Sequence, residues 1–134
     1  MPIKNRFAEL YPAIVSWRHD FHRNPELQYE LPKTAGKVAE LLRAFGCDEV
    51  VEGVGKSGVV GVICGQEDTS RRVIGLRADM DALPIDEKSG VAYKSEISGV
   101  MHACGHDGHT SMLLGAAKYL CETRNFDGKA VVIF

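Results

Sequence analysis

Residues 101–110 hold the densest group of chemically capable side chains in the sequence, MHACGHDGHT. Three histidines, one cysteine and one aspartate share this stretch with two glycines. Imidazole and thiolate groups are the preferred ligands of zinc and similar borderline metals. Glycine permits the tight backbone turns that bring such side chains together. The stretch therefore predicts a metal-binding loop.

The order of residues within this loop indicates which side chains could share a metal. His102, Cys104 and His106 alternate, so an extended backbone would direct all three to one side. Side-chain chemistry makes these three equally eligible as ligands, and Asp107 is suited to orient a ligating imidazole or to cap a following helix. A catalytic thiol at Cys104 is an alternative, although it requires a base and an oxyanion site that the sequence does not reveal.

A second candidate is the aspartate pair Asp79 and Asp81, which follows an apolar run in the sequence VIGLRADMDALP. In open α/β sheets, ligands bind beyond the carboxyl ends of the strands, where these aspartates would lie. Because the two residues are two positions apart, they would point to the same side if the extended backbone continued. The ordinary alternative is a solvated strand end followed by a turn at Pro84.

Three helices that could position these residues are predicted from hydrophobic side chains at helical spacing. The first, of about five turns or fewer, becomes regular near Pro12 and ends before Pro25, because proline restricts both positions. The second occupies LPKTAGKVAELLRAFG and ends at Gly46, a typical C-terminal stop. The third begins near Gly108, and its N-terminus would favour an anionic group.

Four strands are predicted from valine-rich segments: EVVEGV, GVVGVICG, RRVIGLRADMD and KAVVIF. The nearly continuous apolar middle of the third is typical of a strand covered on both faces. Helices followed by strands, and then a strand, a loop, a helix and a strand, predict an α/β layered domain. In that class a largely parallel sheet is flanked by helices.

The composition is that of an ordinary globular protein: 134 residues, 45% hydrophobic and 25% charged, with a net charge of −2. This balance argues against nucleic-acid or membrane-surface partners. The first residues lack the apolar stretch of a signal peptide, which predicts a cytoplasmic protein. In that compartment the widely spaced cysteines Cys47, Cys64 and Cys121 are expected to be structural, not paired in disulfides.

Taken together, the two constellations resemble the zinc-type aminoacylase/carboxypeptidase amidohydrolases. Within that family the match is to the branch of hippurate hydrolase, N-acyl-amino-acid amidohydrolases and auxin-conjugate hydrolases. Four landmarks occur in the same order: WRHDFHRNPELQYE, GLRADMDALPI, MHACGHDGHTSMLLGAA and KAVVIF. The resemblance implies that Cys104 and His106 are metal ligands and that Asp81 supports the site. It places Asp79 where other branches carry a ligating histidine. Supporting roles, near the ligands or the substrate, are implied for Asp79, His102, Asp107 and His109.

The resemblance also implies two divalent metals per complete site, drawn from zinc, manganese, cobalt or nickel. The implied reaction is hydrolysis of the amide bond of an N-acyl amino acid, such as a hippurate-like substrate, or of a related amide or dipeptide. Members of the family are roughly three times as long, and include a dimerisation domain. Their general-base glutamate and later ligands follow the position of Phe134.

Residues 1–134 are therefore expected to be the N-terminal portion of the catalytic domain of a homo-oligomeric enzyme, inactive alone. A non-catalytic metal-binding or interaction module derived from the family is the first alternative. A cysteine-dependent hydrolase or redox protein is the second.

Overall fold

The computed structural model describes residues 3–134, which form a helical layer against a four-stranded sheet. The helices are α1 (Ile3–Arg23), α2 (Pro32–Phe45) and α3 (His106–Thr123). The strands are β1 (Glu49–Val54), β2 (Gly58–Cys64), β3 (Val73–Arg77) and β4 (Lys129–Ile133). The predicted α/β class is confirmed. No helix within residues 3–134 is both long and apolar enough to cross a membrane.

The sheet has the strand order β1-β2-β4-β3, and its pairing is mixed. The prediction of a largely parallel sheet is wrong, because β1 with β2 and β2 with β4 are antiparallel and only β3 with β4 is parallel among the described strands. The short connection 55–57 joins β1 to β2 as a hairpin, which requires antiparallel strands. The crossover through α3 makes β3 and β4 parallel.

Helices α2 and α3 cover one face of the sheet and form the core with it. On β2 and β4 every second side chain is buried, the alternation expected of strands covered on one face. Fully buried side chains from both layers meet there: Val38, Leu42, Val59, Ile63, Leu114 and Val132. This packing holds the end of β3 and the start of α3 in fixed relation.

Among residues 3–134, strand β3 lies at the edge of the sheet, and these residues do not cover both of its faces as predicted. Val73 is 62% exposed and Ile74 is 59% exposed. Within the described residues β3 pairs only with β4, so its outer edge contacts no other strand. An apolar run identifies a strand, but the run does not reveal which neighbours cover it.

Helix α1 continues through Pro12, so the expectation that it becomes regular only there is wrong. Pro12 is exposed, and solvent can satisfy the carbonyl group that loses its amide partner. The turns before Pro12 are held against α3 by an ion pair in which Arg6 donates two 2.8 Å hydrogen bonds to Glu122. At the end of α2 the predicted stop is confirmed, since Gly46 has a φ of 88°.

Replacing Gly128 with alanine is expected to lower the free energy of unfolding by at least about 2 kcal/mol. Gly128 precedes β4 with a φ of 102°, and an added Cβ would lie 2.3 Å from the carbonyl oxygen of Arg72. Urea denaturation measures the change. Gly90→Ala is the matched control, because its φ of 72° is also positive but nothing lies within 4 Å of the added Cβ. Equal losses in the two variants would contradict the role assigned to the close approach.

Candidate metal centre

Asp79 and Asp81 lie immediately beyond the carboxyl end of β3, as predicted. The backbone stays extended there, since Ala78, Met80 and Ala82 are buried while the two aspartates are partly exposed. A hydrogen bond of 2.8 Å from the Ala82 amide to the carbonyl of Glu26 anchors this segment to the connection between α1 and α2. The alternation therefore directs both carboxylates away from the core.

Helix α3 begins at His106, two positions before the predicted start near Gly108. Gly105 has a φ of 91°, a left-handed conformation that turns the chain into the helix. His106 and His109 consequently occupy the first turn and share one face, with their ring centroids 5.5 Å apart. The extended backbone expected through His106 is wrong, because the chain turns at Gly105.

Asp79, His106 and His109 form a cluster whose possible ligand atoms all lie within 4.8 Å of one another. Nδ1 of His109 is 2.7 Å from Oδ1 of Asp79, and Nε2 of His106 is 3.3 Å from Oδ2 of the same carboxylate. One carboxylate and two imidazoles are a donor set typical of catalytic zinc sites and suited to other borderline metals. The cluster therefore fits a divalent metal.

Asp81 contacts the opposite side of the His106 ring. Nδ1 of His106 is 2.9 Å from both the backbone carbonyl oxygen and Oδ1 of Asp81. Two acceptors at this nitrogen favour the tautomer with its proton on Nδ1, which leaves the lone pair of Nε2 directed towards Asp79. A carboxylate that orients a ligating histidine in this way is a recurrent feature of metal sites.

The negative charge of Asp79 suits the role of a metal ligand. Burial by itself would raise the pKa of this carboxyl, but the hydrogen bond with His109 and the nearby imidazoles hold it below its ordinary value. Asp79 is therefore an anion at neutral pH, ready to accept a cation.

The other predicted residues lie outside this cluster. Cys104 is exposed, and the cluster found in residues 3–134 does not include it. His102 is 4% exposed, and neither of its ring nitrogens has a hydrogen-bond partner within that range. Burial lowers the pKa of His102 to about 4, so its ring is neutral at neutral pH. Asp107 is 1% exposed, and its carboxylate contacts Arg18 on α1 and does not belong to the Asp79–His106–His109 cluster.

A buried polar network behind the cluster was missed at the level of the sequence. Oδ2 of Asp107 accepts a hydrogen bond of 2.8 Å from Nε of Arg18 and lies 2.7 Å from Nδ1 of His22. Nε2 of His22 lies 3.1 Å from Oε1 of Glu87. Arg18 and His22 are four residues apart in WRHDFHRNPELQYE and so share one face of α1. That spacing is the sequence signal that indicates a shared polar face on α1.

A cavity of about 340 Å³ opens beside the cluster. Asp79 and Asp81 form part of its wall, with Tyr29, Arg77 and Phe134 among the other lining residues. The volume is at the lower end of the range of small-molecule sites. The arrangement can therefore place a small ligand next to a metal bound by the cluster.

Acid is expected to destabilise the protein partly through Glu87. Burial alone would raise the pKa of Glu87, but hydrogen bonds from Ser89, Ser95 and His22 lower it to about 2, against 4.5 for an unperturbed carboxyl. The unfolded chain therefore takes up this proton first as the pH falls. The stabilisation is present above the ordinary pKa and is lost as the pH approaches about 2.

Urea denaturation across this acid range should therefore show that the free energy of unfolding falls less steeply with decreasing pH in Glu87→Gln than in the parent protein. Glu40→Gln, which changes an exposed carboxylate on α2, should leave the decline unaltered. An identical acid dependence in Glu87→Gln and the parent would contradict the assignment.

Comparison with known proteins connects this site to a family. Residues 75–134, which contain the whole cluster, match the model of Peptidase family M20/M25/M40. The chain is 53% identical over 117 residues to hippurate hydrolase of Campylobacter jejuni, and the matched region covers 87% of this chain and 30% of that protein. It is 46% identical over 134 residues to thermostable carboxypeptidase 2 of Saccharolobus solfataricus, covering 98% of this chain and 33% of that protein.

A solved structure shows the same fold. The YXEP protein of Bacillus subtilis, a dinuclear metal binding peptidase from the M20 family, superposes with a TM-score of 0.88 at 36% identity. The match covers 95% of this chain and 35% of that one. The chain thus spans about a third of the length of the curated relatives that it matches.

Proposed function

Because the chain belongs to peptidase family M20/M25/M40, we propose that it supplies part of the metal centre of an amide-cleaving hydrolase. The substrate class is N-acyl amino acids, including hippurate-like compounds, and related amides or dipeptides. The observation that carries the proposal is the convergence of Asp79, His106 and His109 beyond the end of β3. The names of the relatives, a hippurate hydrolase and a carboxypeptidase, support amide-bond cleavage.

We propose that residues 1–134 form the N-terminal portion of the catalytic domain of a longer, homo-oligomeric enzyme. The relatives are about three times as long as this chain, which supports that assignment. The general base and the remaining ligands would then lie in the other portion. The chain by itself is accordingly expected to be inactive.

Two ligand sets meet at His106. The sequence resemblance pairs it with Cys104, and the geometry pairs it with Asp79 and His109. Two divalent metals in one centre accommodate both sets, and the B. subtilis relative is described as dinuclear. Mixed thiolate, imidazole and carboxylate donors suit zinc, cobalt, nickel or manganese.

Bound divalent metals supply Lewis acidity, which lowers the pKa of a water molecule and polarises the amide carbonyl. The residues of this chain prepare the site for that chemistry. Asp81 holds the proton on Nδ1 of His106, and Asp79 remains ionised beside both imidazoles. Arg77, 70% exposed on the wall of the cavity, offers a guanidinium group to the carboxylate of an N-acyl amino acid.

Amide hydrolysis assays test this proposal. The complete gene product and residues 1–134 are each loaded with zinc, manganese, cobalt or nickel and supplied with hippurate, N-acetyl amino acids and dipeptides. We expect chelator-sensitive turnover from the complete product and none from residues 1–134. Turnover by the short chain would contradict its proposed incompleteness.

The absence of turnover from the complete product with every metal would overturn the hydrolase assignment. Stoichiometric metal bound in that case would favour the alternative, a non-catalytic metal-binding module. The containment of the Asp79–His106–His109 cluster within this chain supports that second candidate. Activity lost on thiol alkylation but insensitive to chelators would instead indicate a cysteine-dependent enzyme.

A further inference from the structure

The network around His22 links α1 to the first turn of α3, and the proposed chemistry does not use it. Asp107 directly follows His106 in that turn, and its Oδ2 atom contacts both Arg18 and His22. The same turn also reaches the other half of the cluster, because Oγ1 of Thr110 donates a 2.9 Å hydrogen bond to the carbonyl of Asp79. The turn is therefore fixed from two sides.

Three of the ionisable side chains of this network are shielded from solvent, whereas that of Arg18 is 35% exposed. The side chain of His22 is 4% exposed, that of Glu87 is 3% exposed and that of Asp107 is 0% exposed. Buried charges are costly unless they are paired, and removing one partner leaves the other uncompensated. Oδ1 of Asp107 has no partner within the described residues, so its pairing depends on Arg18 and His22 at Oδ2.

His22 is the only described member of the network that contacts both buried carboxylates. Its two ring nitrogens face the two carboxylates from opposite sides of one ring, Nδ1 at 2.7 Å from Asp107 and Nε2 at 3.1 Å from Glu87. Glu87 is fixed in turn, because its Oε2 atom accepts a 2.6 Å hydrogen bond from the backbone amide of Ser95. His22 thus joins three segments: α1, the loop that contains Glu87, and the start of α3.

We propose that His22 is a positioning residue of the metal centre. By pairing with Asp107 and Glu87, it fixes the orientation of the first turn of α3 and hence the direction in which His106 and His109 present their nitrogens. This inference rests on the proposed metal-dependent function. Residues behind the ligands commonly tune metal sites, and their loss lowers metal affinity or activity by about 10- to 100-fold.

The test replaces His22 with glutamine in the complete gene product. Glutamine is close in size, but both N–H donors of its amide sit on one nitrogen, so it cannot reproduce the two ring nitrogens that face Asp107 and Glu87. Cobalt affinity is measured by competition with a chromogenic chelator, and the d–d bands of the cobalt-loaded protein report ligand geometry. We expect affinity to fall by about tenfold, the d–d bands to shift, and kcat for hippurate to fall more than KM rises.

Arg6→Gln provides the matched control. It breaks the exposed ion pair between Arg6 and Glu122, which joins the same two helices at the other end of α3. We expect the control to keep the parental cobalt affinity, spectrum and kcat. Equal changes in Arg6→Gln and His22→Gln would overturn the proposal, since they would indicate only a general loosening of α1 from α3.

A parental affinity and spectrum in folded His22→Gln would also overturn it, while leaving the metal-dependent function intact. Failure of the parent protein to bind cobalt would overturn both proposals. If His22→Gln does not fold, Glu87→Gln decides by the same measurements, because it removes the charge of one partner and retains an acceptor for Nε2. Parental values in Glu87→Gln would then overturn the positioning role.

Discussion

From the proposed metal-dependent hydrolysis, replacing His106 with alanine is expected to remove the metal and to lower kcat/KM of the complete gene product by at least about 10³-fold, equivalent to roughly 4 kcal/mol. His106 belongs to both proposed ligand sets, so neither set is complete without it. Its Nε2 atom faces Asp79 and its Nδ1 atom contacts Asp81, and alanine removes both contacts. Elemental analysis after dialysis measures metal content, and hippurate hydrolysis measures activity.

His19→Ala is the matched control for this experiment. His19 is also a histidine on a helix, but its ring stacks on Tyr93 with centroids 3.8 Å apart and lies outside the cluster. The control should retain the metal content of the parent. Stoichiometric metal and undiminished hydrolysis in His106→Ala would show that the centre lies elsewhere.

Replacing Cys104 with serine is expected to weaken zinc binding by about 10- to 100-fold and to abolish the sulfur-to-cobalt charge-transfer band. Thiolate is a soft ligand, so manganese, a harder ion, should be affected less than zinc. Because Cys104 is exposed, its replacement should leave the free energy of unfolding close to the parental value. The effect on metal can thus be separated from an effect on folding.

Cys64→Ser, which changes a half-buried thiol in β2, should keep the charge-transfer band. An unchanged band and zinc affinity in Cys104→Ser would restrict the ligands to Asp79, His106 and His109. Together with the His106 experiment, this comparison distinguishes the set implied by resemblance from the set formed by geometry.

Local signals in the sequence predicted most of the elements. The end of α2 was predicted because glycine readily adopts the left-handed conformation that Gly46 requires. The strand pairing was not predictable in the same way. Valine-rich segments indicate strands, but their parallel or antiparallel pairing depends on connections and on long-range packing. The mixed sheet and the exposed edge of β3 follow from those two factors.

For the candidate site, the sequence identified the residues better than their arrangement. Asp79, His106 and His109 were all named, yet only His106 was predicted as a metal ligand, and Asp79 and His109 were given supporting roles. Alternation could not reveal that Gly105 turns the chain into α3, nor that His102 is buried while Cys104 is exposed. The spacing of Arg18 and His22 indicated a shared polar face, but its pairing with Asp107 was not predictable, because His22 lies 85 positions away in the chain.

The open edge of β3 has a practical consequence for biochemical work on residues 1–134. Its outward amide and carbonyl groups, beside exposed Val73 and Ile74, form a template onto which an extended segment of another molecule can add as a further strand. Concentrated samples of the short chain are therefore prone to aggregate by edge-to-edge pairing. Metal titrations on it belong at low protein concentration, with light scattering recorded alongside, so that precipitation is not mistaken for loss of binding.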